Sequence, residues 1–189
     1  MLKAVYKLLW RMRIFLYIAT LGYVAWIGSE IAELLAQGYT PTVFLLTAIY
    51  HLLAGLGIWG LHRAQAQSAG KLSLVGATLI SLSFLALIYF PLGAMQAGLT
   101  PPEYASTRPL FQLVGLMNIF GFILFGIAIY RARIFPRWTG PMLAIGNLLF
   151  AALLASGGGP VRNAVSIGLA LVVLWMIKFV FRQENASEA

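Results

Sequence analysis

Cysteine and aspartate are both missing from this chain of 189 residues. Without a thiol there is no disulfide, no thiolate metal site and no cysteine nucleophile. Without aspartate, carboxylate chemistry rests on five acidic residues, all glutamate: Glu30, Glu33, Glu103, Glu184 and Glu188. That excludes Asp-based catalytic triads and the usual acidic metal clusters, so no catalytic, cofactor-binding or metal site is assigned. Charge of either sign is scarce, at 10% of residues against 61% hydrophobic, with a mean hydropathy of +0.88. Such a chain has too little polar surface to coat a water-soluble globule, and lipid takes the place of water. The connecting segments are too short to hold a second folded unit, so residues 1–189 read as a single membrane domain.

What is abundant is long apolar runs. A helix crossing about 30 Å of hydrocarbon at 1.5 Å per residue needs roughly 20 such residues. Six stretches approach this: Ile14–Ala36, Val43–Leu61, Leu72–Leu92, Leu110–Tyr130, Pro141–Ser156 and Asn163–Phe181. The fifth is the shortest and reads as either a re-entrant segment or a span helped by its flanks. Gly38-Tyr39-Thr40-Pro41, Thr100-Pro101-Pro102 and Gly157-Gly158-Gly159-Pro160 are turn signals between spans, as are Pro136 and Gly140. Pro91 falls in the last turn of the third span, where it bends the helix. The expected fold is therefore all-α, a polytopic transmembrane bundle of about six spans.

The formal charge is +8, but the cations flank apolar runs instead of covering a soluble face, which argues against nucleic acid as a partner. They set orientation instead, because Lys and Arg stay on the cytoplasmic side during insertion. With six spans and an inner N-terminus, Lys3, Lys7, Arg11, Arg13, Arg63, Lys71, Arg131, Arg133, Arg137, Lys178 and Arg182 are inside, and only Arg108 and Arg162 are outside. Both termini are then cytoplasmic, and residues 182–189 form a polar tail. Trp10, Trp59, Trp138 and Trp175 lie toward the inner interface as an aromatic belt. Residues 1–13 carry Lys3, Lys7 and Arg11 at i, i+4 spacing. They read either as an interfacial helix on anionic lipid at the inner face or as a basic extension of the first span.

Polar groups within the spans are few, and each is costly in hydrocarbon without a partner. Glu30 and Glu33 share a helical face by their i, i+3 spacing, with Ser29 adjacent. They read as a proton- or cation-binding pair, or as carboxylates neutralised by Arg108 or Arg162 from neighbouring outer loops. His51 lies in the middle of the second span and reads best as a helix-packing histidine, since one mid-membrane histidine does not make a bis-histidine haem site. Asn118 and Asn147 are deep in the fourth and fifth spans and favour interhelical hydrogen bonds. Together with Glu30, Glu33 and His51 they are candidates to line a polar cavity. Gly55, Gly57, Gly60, Gly115, Gly121 and Gly126 mark close helix packing or the seam of a homo-oligomer.

The stretch Tyr130-Arg131-Ala132-Arg133-Ile134-Phe135-Pro136-Arg137-Trp138-Thr139-Gly140, followed by an Ala/Leu-rich helix, resembles the cytoplasmic loop of a broad group of bacterial membrane proteins known only as domains of unknown function. The likeness covers about 30 residues around that stretch. It implies a bacterial inner (plasma) membrane protein of six or seven helices and transfers no catalytic residue. No loop motif of a hydrolase, kinase or dinucleotide enzyme is present, so an enzyme is disfavoured. The expectation is a module that binds or moves a small solute, ion or proton, the alternative being a non-catalytic scaffold of a membrane complex.

Overall fold

The computed structural model describes residues 2–157 and 159–188, with side chains described for 13–157 and 159–183. All its regular elements among these residues are helices: α1 (Leu2–Ala36), α2 (Pro41–Leu87), α3 (Tyr89–Ala97), α4 (Pro101–Ser106), α5 (Pro109–Ala132), α6 (Thr139–Ala155) and α7 (Pro160–Glu188). Four stretches are long and apolar enough to cross a membrane by length and composition: Arg13–Ala36, Pro41–Ala97, Pro109–Ala132 and Pro160–Gln183. The chain is accordingly a helical membrane protein. The shorter α6 is also apolar.

The second of these stretches is not one rod. Gly70 interrupts α2 with φ 56 and ψ −144, a backbone region open to glycine and closed to side chains with a Cβ. The helix reverses there. The Ser81 hydroxyl donates to the Gly55 carbonyl at 2.7 Å, and Trp59 Nε1 donates to Ser81 Oγ at 3.2 Å, so residues 41–69 and 71–87 lie side by side as a hairpin. A lesser break falls at Ile88, between α2 and α3. Pro91 has no amide hydrogen to offer the Leu87 carbonyl, and the break sits one turn before it. The third expected span is thus divided, and the Thr100-Pro101-Pro102 turn opens into the short helix α4. Its cap is built by Thr100 and Glu103.

The rods form a closed ring, with α1 on the first arm of α2, the second arm on α5, α5 on α6, α6 on α7, and α7 back on α1. Glycines bring neighbours close. A Cβ added to Gly57 would lie 2.5 Å from the Ala19 backbone, and one on Gly126 would lie 2.5 Å from the Gly140 carbonyl oxygen. Gly60 and Gly121 also face other helices and Gly55 faces the second arm of α2, whereas Gly115 meets nothing within 4 Å. Inside the ring, Tyr23, Trp26, Tyr50, Phe84, Phe122 and Phe125 are buried in one apolar core. Large side chains such as Leu21, Leu35, Leu113, Phe120 and Ile145 remain exposed on the outside. That inversion of the soluble pattern is what a hydrocarbon surround allows.

Candidate functional site

The turns at 37–40, 98–100 and 156–157 gather at one end of the ring, and a cluster of buried polar side chains lies beneath them. Glu30 and Glu33 project from the last two turns of α1, and Arg162 and Asn163 from the first turn of α7, brought together because α1 and α7 are ring neighbours. Arg162 pairs with Glu33 through Nη2, donates from Nη1 to the Tyr39 hydroxyl at 2.6 Å, and stays 3.8 Å from Glu30 Oε2. Glu30 receives two neutral donors instead. Trp26 Nε1 donates to Oε1 at 2.8 Å, and Asn163 Nδ2 donates to Oε2 at 2.7 Å. Glu30 is 7% exposed and Arg162 5%, so these contacts are made largely away from solvent.

The two carboxylates are therefore not equivalent. Glu33 has the close ion pair, and Glu30 sits deeper, with two neutral donors and the guanidinium at 3.8 Å. One guanidinium between two carboxylates leaves the cluster with a net single negative charge when both are ionised. A buried net charge is costly, and one bound proton or monovalent cation removes it. Two buried polar atoms here lack hydrogen-bond partners, Arg162 Nε and Ser166 Oγ. Ser166 adjoins Glu30, where its hydroxyl can donate to the carboxylate.

The other candidates lie elsewhere. Arg108 places its guanidinium 4.8 Å from the Tyr104 ring centroid at the exposed α4–α5 junction. His51 packs its ring against Tyr50 and Phe84, and its buried Nδ1 has no hydrogen-bond partner. It reaches the glutamates only indirectly, because its neighbour Tyr50 stacks 4.4 Å from Trp26. Asn118 donates to Ser83 Oγ at 2.9 Å, tying α5 to the second arm of α2. Asn147 donates to the Leu143 carbonyl of its own helix at 3.4 Å. These three polar groups do not join Glu30 and Glu33 in one cluster. Among the described residues, no group of three His, Cys, Asp or Glu side chains is placed to hold a metal ion.

Trp26, Tyr39, Asn163 and Ser166 are the members that sequence reasoning passed over. Trp26 carried a signal, since i, i+4 spacing puts its indole over Glu30. Tyr39 and Asn163 carried none, because their roles depend on α7 returning to α1 across the ring. Comparison of the chain with protein-family models, with curated proteins and with solved structures finds no match.

Proposed function

We propose that this protein is a proton-binding, and proton-moving, module of a bacterial inner membrane, with Glu30 as the proton-accepting group. It crosses the bilayer six times with both termini in the cytoplasm. The observation that carries the functional reading is the inequality of the two carboxylates that share Arg162, with Glu33 in close contact with the guanidinium and the buried Glu30 3.8 Å from it and hydrogen-bonded by Trp26 and Asn163. A site with one more acid than base takes up one positive charge when it is shielded from water. Six crossings are supported by the reversal at Gly70, which makes two rods of α2, and the inner-membrane assignment rests on the likeness around Tyr130–Gly140.

The test is proton flux into proteoliposomes under an imposed potential, read with a trapped pH-sensitive dye. Glu30→Gln abolishes the protein-dependent flux, while the conservative Asn163→Ser leaves part of it. Flux unchanged in Glu30→Gln, with crosslinking in native membrane recovering a stable neighbour, gives the scaffold reading its place instead. Orientation is checked separately with cysteines introduced at Thr100 and Arg131, which label from opposite faces of the bilayer.

A further inference from the structure

The opposite end of the ring carries the reversal at Gly70, the α5–α6 link and the far end of α7. The link, residues 133–138, is held in place by aromatic contacts. Phe135 is 2% exposed and packs against Phe179 at 6.3 Å between ring centroids. Trp138 lies 5.3 Å from Trp175, and Trp175 stacks on Phe179 at 5.5 Å. Both indoles nonetheless stay well exposed, Trp138 at 49% and Trp175 at 38%. On α7, Trp175, Lys178 and Arg182 follow i, i+3, i+7 spacing and so share one stripe. The link meets that stripe through Trp138, and Arg137 is the residue before it.

Arg133, Arg137, Lys178 and Arg182 are all exposed, and none of them has an ion-pair partner among the described residues. The acids with described side chains, Glu30, Glu33 and Glu103, lie at the other end. Glu184 and Glu188 follow on the polar tail, outside the described side chains. What is left is a patch of like charge with two indoles held beside it. Cations flanking indoles at the edge of a hydrocarbon surface match a phospholipid at headgroup level, where the phosphate meets the guanidinium fork and the indoles lie along the glycerol and first methylenes.

We propose that the patch formed by Arg137, Trp138, Trp175 and Lys178, flanked by Arg133 and Arg182, is a binding site for the headgroup of an anionic phospholipid. The site is independent of the Glu30 cluster. A lipid fits better than free phosphate because the exposed indoles need an apolar partner that only an acylated ligand brings.

The experiment places the full chain in nanodiscs of phosphatidylcholine doped with phosphatidylglycerol and measures, by mass spectrometry of the released protein, how strongly phosphatidylglycerol is retained over phosphatidylcholine. Wild type retains phosphatidylglycerol preferentially, and Arg137→Gln with Lys178→Gln lowers that preference by at least about fivefold, the factor expected for one cation near an anionic surface. Arg63→Gln with Lys71→Gln removes the same charge at the hairpin end of α2 and leaves the preference intact. Equal loss in both double variants overturns the site in favour of general surface charge, and no loss in either overturns it outright. Displacement of the lipid by soluble glycerol phosphate overturns the lipid assignment. Should the double variant fail to purify, Lys178→Gln alone carries the same comparison.

Discussion

Arginine does opposite work at the two ends of this bundle. At the turn-rich end Arg162 is 5% exposed and bonded to Glu33 and Tyr39. At the other end Arg131, Arg133 and Arg137 are exposed, with no acid among the described side chains beside them. The difference is one of surroundings. A guanidinium taken out of water must bring its counterion with it, whereas one at a membrane edge finds water and lipid phosphate. The paired end consequently bears on folding and on the proposed proton binding, and the unpaired end on the proposed lipid contact.

Arg162→Leu breaks that contrast most severely. It leaves the buried Glu30 and the half-buried Glu33 without a counterion, a loss approaching that of a buried pair stripped of one partner, about 3–5 kcal/mol. Denaturant titration of the detergent-solubilised protein reads the loss, and adding Glu33→Gln to Arg162→Leu restores a large part of it. A double variant no better than Arg162→Leu alone would contradict the assignment of Glu33 as the counterion. The charge-matched change Arg137→Gln at the opposite end stays within about 0.5 kcal/mol of wild type, as substitutions of unpartnered surface groups do.

Between the two ends stability comes from close packing and has little to do with charge. Gly57→Val forces side-chain atoms against the Ala19 backbone and costs about 1–3 kcal/mol through overpacking. Gly115→Val, at a position with nothing within 4 Å, costs much less in the same titration. Equal losses at the two glycines would mean that the α1–α2 seam is not the close contact described. Asn118→Leu is milder still. It removes the hydrogen bond to Ser83, worth about 0.6 kcal/mol between membrane helices, and the same titration of Asn118→Leu in a Ser83→Ala background shows no further loss.

Much of this architecture was legible from hydropathy and turn residues. α1 ends at Ala36 and α5 covers Pro109–Ala132, within two residues of the expected spans, because apolar runs bounded by Gly and Pro are strong local signals. The division at Ile88 and the helix α4 were not anticipated. Pro91 was recognised as a bend, but where a helix breaks depends on which carbonyl loses its donor, and the Thr100–Glu103 capping box was hidden inside what read as a turn. At the site, Glu30, Glu33 and Arg162 were visible as charges out of place. Their division of labour was not, since it is set by Asn163 reaching Glu30 across 133 positions of sequence. Proximity of that kind comes from ring closure and leaves no local trace.

Glu103 separates burial from location, since it stands at the paired end yet is exposed. The Thr100 hydroxyl and backbone amide both donate to its Oε2, at 2.6 and 2.8 Å, and these bonds hold its carboxyl below the usual carboxylate range. A depressed folded value means that the charged form stabilises the fold. The contribution is complete above the ordinary glutamate value of about 4.3 and disappears as the pH drops through the lower folded value. Glu103→Gln keeps an acceptor for the Thr100 amide and removes only the charge, so its effect is the smallest of the set. Unfolding curves of wild type and Glu103→Gln differ slightly at neutral pH and merge in acid. If the gap instead persists unchanged to low pH, the cap acts through shape alone, and charge at this end of the molecule matters only where it is buried.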